Sequence, residues 1–391
     1  MSHVFAPLEF EHALPVADGA TSIVDLCRAV VYRELTDLRE DWLGLEARAS
    51  ATLFQSHAWC SAWAQAGRDA NCPEDPRIVT VWSAGRLVLL WPLAVRRLGP
   101  FRVLQGFAHP ATQYCDALIE EGPHQGRWLE LAWDSIRSMR GIDAVRITGI
   151  RAESAVAPLL GTRRHAHVTR TDAAPFTDFR ASAGGVRRRS GRTRNALLRH
   201  LRHLSDHGEV AFEVIADGQE RVAAMREMLD LKHAWLVRTA QVSAGYMHPA
   251  NAAFLKALAS QDDFFMARLK VGTRTAAVEG GVLREGRYWS LVQSYDGRFA
   301  PHGPGRLVFW HILERAAALR IEVFDFLAPA TRHKTEWANG AMPVHDVVVP
   351  LRLPGWLVLA YVRRVRPLLK RCAAPLSRCI RRPDPVTPAS D

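Results

Sequence analysis

One arrangement of elements occurs twice along this chain of 391 residues, and it limits the fold more than any other feature. In the first copy a strand at 77–82 passes through the turn Ser83-Ala84-Gly85 into a strand at 87–96. A Gly99-Pro100 turn leads to a strand at 101–106, followed by a strand at 116–120, a helix at 126–139 and a strand at 143–148. The second copy has strands at 264–270, 275–284 and 287–294, a helix at 305–319 and a strand at 322–326. Apolar or β-branched runs bounded by Gly, Pro or charged turns mark each strand. The helix-to-strand joints are alike, Met139-Arg140-Gly141-Ile142-Asp143 against Leu319-Arg320-Ile321-Glu322. Such a repeat predicts an α/β (mixed α+β) chain of two related lobes, each a mixed, mostly antiparallel sheet flanked by helices.

Other signals divide the chain. Val222, Met225, Leu229 and Leu236 form one stripe of a helix at 219–236, with Asp217 as N-cap. The small and polar stretch 169–182, with Pro175, reads as the joint between lobes. The expected division is an N-terminal extension at 1–21, a first lobe at 22–170, a second lobe at 171–350 and a basic tail at 351–391. The second lobe includes an arginine-rich helix at 187–204.

The net charge of +11 is concentrated in two segments. Residues 187–202 hold seven arginines and no acid, and residues 351–391 hold nine basic residues and two acids. Each is +7, so the remainder carries about −3 and reads as a near-neutral globule. The tail, with Trp356, Leu357 and Leu359 beside its arginines, is either a solvated extension or a contact to anionic lipid. The arginine-rich helix lacks interleaved aromatics, which argues against stacking on single-stranded nucleic acid. His200, His203 and His207 have ligand-like spacing, but Arg192, Arg194, Arg199 and Arg202 on the same helix would repel a dication, so no metal site is expected.

The first eighteen residues lack a basic start and an apolar run, and no apolar run approaches the ~20 residues of a membrane span. Six scattered cysteines form no framework; Cys372 and Cys379 could share a helical face and carry a lipid. These signs predict a cytoplasmic chain, peripheral to the membrane if the tail binds lipid.

The most informative stretch is 279–337. A strand ends at Tyr295-Asp296, a loop runs to Gly303-Pro304-Gly305, and an apolar helix starts near Arg306. A helix start offers unbonded N–H groups and positive potential to a phosphate, and glycines allow its close approach. His302, Gly303, Gly305 and Arg306 are the candidate donor-binding residues. Equally, the loop could be a plain turn.

The same stretch resembles the GNAT acetyltransferases associated with cellulose and exopolysaccharide biosynthesis, the CelD/BcsL-like group. The motifs that carry the resemblance are Ser294-Tyr295-Asp296, Pro304-Gly305 before a helix, Phe324-Asp325-Phe326-Leu327, and Lys334 with Trp337. Phe54-Gln55-Ser56-His57-Ala58-Trp59, His207-Gly208-Glu209-Val210 and Lys232-His233-Ala234-Trp235 extend it over 53–350. Ala300 stands where the general phosphate signature has Gln or Arg, and His333-Lys334 replaces a Tyr-Lys pair.

The resemblance implies a tandem GNAT fold akin to the FemAB-like aminoacyl-transferases. It also implies acetyl-CoA or another acyl-CoA as co-substrate, in a cleft where 287–295 and 322–326 splay apart. Tyr295 is then the candidate acid, Glu279 the candidate base and Asp325 a second base, with Lys334 the fourth candidate catalytic residue. Glu279 could instead be a surface carboxylate at a strand edge, Trp337 plain packing, and Asp325 with Lys334 a buried ion pair. The expected activity is acyl transfer to an amine or hydroxyl of a small or sugar-linked acceptor in surface-polysaccharide synthesis. The alternatives are a FemAB-like transferase using aminoacyl-tRNA, or a non-catalytic lobe pair that binds a partner.

Overall fold

A computed structural model describes residues 8–10, 27–50, 52–180 and 191–368. The first part of the chain supplies β1 (Leu8–Phe10), β2 (Cys27–Tyr32), α1 (Arg39–Glu46) and α2 (His57–Asp69). It continues with β3 (Pro76–Ser83), β4 (Arg86–Leu98), β5 (Phe101–Gly106), β6 (Leu118–Ile119), α3 (Gln125–Ser138), β7 (Ala144–Arg151), α4 (Val156–Gly161) and β8 (His167–Asp178). The second part supplies α5 (Gly191–Ser205), β9 (Val210–Val214), α6 (Gly218–Thr239), α7 (Asn251–Ala259), β10 (Phe264–Val271) and β11 (Arg274–Arg284). Then come β12 (Arg287–Tyr295), α8 (Pro304–Glu314), β13 (Val323–Asp325), α9 (Arg332–Thr335), β14 (Gly340–Pro350) and α10 (Leu353–Ala360).

The strands form one mixed sheet in the order β1-β2-β3-β4-β5-β7-β14-β8-β13-β12-β11-β10-β9, with β6 against β4. The repeat is visible in this order. From the centre outward, β7-β5-β4-β3 mirrors β13-β12-β11-β10. In each half the two innermost of these strands are parallel, β5 with β7 and β12 with β13. Each pair is joined through a helix, α3 or α8, as a parallel connection requires.

The halves also exchange strands. β8 leaves the first half and pairs with β13 of the second, while β14 leaves the second half and pairs with β7 of the first. β8 and β14 then pair with each other over most of their length. The segment 169–182, expected as the joint, is therefore a strand as far as Asp178. Its Pro175 has no N–H to give, yet its carbonyl accepts from Phe326 N at 3.0 Å.

Other elements follow local chemistry. Ser56 caps α2 by accepting from Trp59 N, and Asp217 caps α6 by accepting from Glu220 N at 2.8 Å. The expected helix at 305–319 stops at Glu314. Arg315 N and Ala316 N turn back to Ile312 O and Leu313 O, and Arg320 enters the left-handed region at φ 56° before β13. The strand expected at 116–120 shrinks to two residues, because Asp116 spends its carboxylate on the amides of Ala117, Ala155 and Val156.

A large apolar core joins both halves, with Trp42, Trp59 and Trp63 packed beside Met225, Met228 and Phe254. A second core lies under α3 and α4, and a third under α5 and α8. In α10, Leu353, Trp356 and Leu357 are exposed. Of the tail's basic residues, Lys370, Arg371, Arg378, Arg381 and Arg382 lie outside the described residues, as do Cys372, Cys379 and Arg187 to Arg189 of the arginine-rich segment. No helix among the described residues is long and apolar enough to cross a membrane.

Candidate active site

Strands β12 and β13 pair only over Arg287–Trp289 and Val323–Asp325. Beyond Trp289 the two separate, and among the described residues β12 continues alone on that side to Tyr295. On its other side β12 pairs with β11, with an irregularity at Gly280–Gly281. A Cβ on Gly281 would lie 1.9 Å from Trp289 O, so this bulge requires glycine.

A cavity of about 520 Å³ opens where the strands part. Residues 290–295 of β12 form one wall; α6, the start of α8 and the α9 region form the others. The cavity brings together Tyr295, Gly303, Gly305, Arg306 and Lys334 of the residues expected from sequence. Trp337 also lines it, though it is buried in the core beneath α8 beside Phe309, as packing predicts.

Tyr295 is fixed by α6. Its hydroxyl oxygen accepts from Trp235 Nε1 at 3.2 Å, and Arg238 lies 5.7 Å from its ring centroid. Its own O–H is thus left to donate. One turn before Trp235, Lys232 Nζ donates to Gln293 O at 3.3 Å and sits 4.5 Å from the Trp235 ring. Burial pulls the Lys232 ammonium below its usual range, opposed by Glu279. Lys334 Nζ donates to Leu327 O at 3.0 Å. Burial lowers its pKa to about 8, against the pull of Asp325, Glu279 and Asp172.

Glu279 is fully buried behind the cavity wall, not at a strand edge. Ser290 Oγ donates to its Oε1 at 2.5 Å and Tyr288 Oη at 3.1 Å, while Oε2 has no partner among the described residues. Desolvation raises its pKa to about 8, so near neutrality it holds a proton. Ser290, which lines the cavity, is its route to any ligand.

Asp325 does not reach the cavity. It accepts from Tyr114 Oη at 2.8 Å and Leu327 N at 2.9 Å, and Arg287 Nη1 lies 3.4 Å away. The expected Asp325–Lys334 ion pair is therefore absent, because Arg287 from the parallel neighbour takes the carboxylate. His302 also lies off the cavity, its Nε2 3.2 Å from His207 Nε2 in the turn after α5.

The start of α8 offers a ligand few amides. Gly303 is left-handed at φ +58°, Pro304 has no N–H, and Arg306 N and Leu307 N turn back to Gly303 O. Among the described residues, Gly305 N is the first-turn amide left without a backbone partner. Arg306 forms an ion pair with Glu336 at 3.1 Å, and its Nε has no partner among the described residues. An acyl-CoA fits this set in two parts: apolar Leu291, Val292 and Phe309 suit the acyl–pantetheine arm, and Gly305 N with Arg306 suit the pyrophosphate.

Residues 191–335 match the GNAT acetyltransferase domain. The match is to that domain at large and spans every lining residue of the cavity except Trp337. Among solved structures, FemX aligns with a TM-score of 0.55 at 10% identity, over 84% of this chain and 98% of that one. A conserved protein of unknown function from Bacteroides thetaiotaomicron aligns with a TM-score of 0.52 at 11% identity, over 82% of this chain and 99% of that one. A tandem GNAT protein from the clavulanic acid biosynthesis pathway aligns with a TM-score of 0.46 at 12% identity, over 83% and 98%. No curated protein matches. The chain has a GNAT-like fold.

Sequence reasoning missed Gln293, Ser290 and Tyr246 in the wall. Gln293 could have been found, since it is two residues before Tyr295 and so shares its face of the strand. Its Nε2 donates to Gly305 O at 3.2 Å and ties strand to helix. Tyr246 carries no such signal, because it comes from the loop after α6.

Proposed function

We propose that the chain transfers an acyl group from acyl-CoA to an amine or hydroxyl of a small or sugar-linked acceptor. The observation that carries this reading is the free edge of β12 inside the matched GNAT domain. From Ser290 onward β12 has no strand partner on the β13 side among the described residues, and the cavity is there. Unpaired backbone groups along that edge are fixed dipoles, of the kind that stabilise a developing oxyanion.

In the proposed reaction the acceptor's lone pair attacks the thioester carbonyl carbon. The C–S bond breaks, and the leaving thiolate takes the proton of Tyr295. Lys334, with its pKa near 8, accepts the acceptor's proton when neutral. Protonated Glu279 keeps Ser290 Oγ in place rather than acting as a base near neutrality.

A thermal-denaturation screen with acetyl-CoA, longer acyl-CoAs and free CoA tests the reading. A ligand that binds the native state alone raises its melting temperature. A rise with at least one acyl-CoA is expected; no rise with any of them at saturating concentration contradicts it.

A further inference from the structure

The donor cavity does not end at Tyr246. That residue, with Leu291 and Val292, also lines a second cavity of about 180 Å³ whose other walls include Trp59, Phe254 and Leu255. Pro110 and Gln113 of the second cavity line a third, of about 310 Å³. The three share walls in series along the seam between the halves, from the candidate transfer site, through an apolar middle, to the third chamber.

The third cavity is lined by Arg146, Arg170 and Arg366, with Asp172 and Asp346 as its acids. Both acids are already engaged. Asp172 holds Arg170 and accepts from Ala173 N and Ala330 N. Asp346 accepts from Gly149 N at 3.0 Å. The Nε of Arg146 is buried with no hydrogen-bond partner among the described residues, and Asp346 is the acid whose charge favours this guanidinium. Arg366 adds like charge beside it. A buried guanidinium Nε left without a hydrogen bond is the kind of polar group that a ligand completes. The chamber is tightly built as well. Gly149 sits at φ +71°, and a Cβ there would lie 2.0 Å from Gln113 O.

We propose that this chamber is an anion subsite that holds the phosphate of a phosphate-bearing acceptor. The acceptor's body crosses the apolar middle cavity, and its nucleophile reaches the donor cavity. The word acceptor rests on the acyl-transfer reading, but the anion site stands without it. A soluble phosphate ester and a phospholipid headgroup present the same group to Arg146 and Arg366.

Thermal denaturation of the full chain in inorganic phosphate, against chloride of equal ionic strength, tests the site. Phosphate is expected to raise the melting temperature of the wild type and of Arg306→Met, and to raise that of Arg146→Met clearly less than either. Without phosphate, Arg146→Met is expected to melt close to the wild type, since among the described residues it gives up no hydrogen bond or close ion pair. Acetyl-CoA is expected to shift wild type and Arg146→Met equally, so loss of that shift in both speaks against the donor reading and not against the anion site. The proposal is overturned by no phosphate shift in the wild type, by a shift as large in Arg146→Met as in the wild type or lost in Arg306→Met, or by Arg146→Met melting well below the wild type. Glucose 1-phosphate reproducing the shift supports a soluble acceptor. Phosphatidylglycerol vesicles that sediment wild type but not Arg146→Met support a lipid-borne one. If neither occurs, the acceptor assignment is overturned.

Discussion

Glu279 sets the chemistry of the candidate site more by its proton than by its charge. Its folded-state pKa is raised from 4.5 to about 8, so the native state keeps a proton that the unfolded chain releases. Stability from this group is full below pH 4.5 and is lost as pH rises toward 8. At 1.36 kcal/mol per unit, the loss is on the order of a few kcal/mol. Urea denaturation at pH 5 and pH 8 should show that Glu279→Gln loses much less stability between these values than the wild type. Equal losses would mean that the carboxyl is solvated. The sequence showed Glu279 beside two glycines, a setting that also fits an exposed strand edge. Its burial comes from Tyr288 and Ser290 on the paired strand, and that pairing is not written locally. Asp325 illustrates the same limit. Its apolar neighbours announced burial, but its partner Tyr114 is 211 residues away.

The β11–β12 hairpin and the start of α8 are the elements that form the cavity. The hairpin was legible to within a residue at its ends, because apolar runs and the Glu285-Gly286 turn bound it. The bulge at Gly280–Gly281 was not legible as a bulge, since two adjacent glycines also suit a plain weak strand. Gly281→Ala should cost about 3 kcal/mol, because its methyl meets the Trp289 carbonyl and the hairpin must part. Urea unfolding measures this, and a loss below ~0.5 kcal/mol would show that the bulge relaxes freely. Strand β8 was read as a joint because its polar and small residues lack an alternating pattern. It is held by strands on both sides, and such pairing outweighs weak local propensity.

At the scale of the whole molecule, the repeat in the sequence became two mirrored half-sheets, and the exchange of β8 and β14 joined them. Periodicity reveals that strands exist; it does not reveal which strand sits beside which. The exchange makes each half depend on a strand from the other half. Far-UV circular dichroism and tryptophan fluorescence should therefore follow one coincident urea transition, although the chain is long enough for two domains. Two separated transitions would show that the halves fold alone. The exchange also places the candidate donor cavity beside the seam, within the matched GNAT domain. Titration calorimetry of acetyl-CoA into wild type and Gly305→Ala tests that placement most directly. A Cβ on Gly305 lies 3.4 Å from Gln293 Oε1 and 3.8 Å from Tyr295, so it narrows the cavity without displacing backbone. Saturable binding by the wild type, weakened roughly tenfold in a Gly305→Ala protein of nearly equal melting temperature, is the predicted result. Acetyl-CoA binding with the same affinity in both proteins, or in neither, would contradict it.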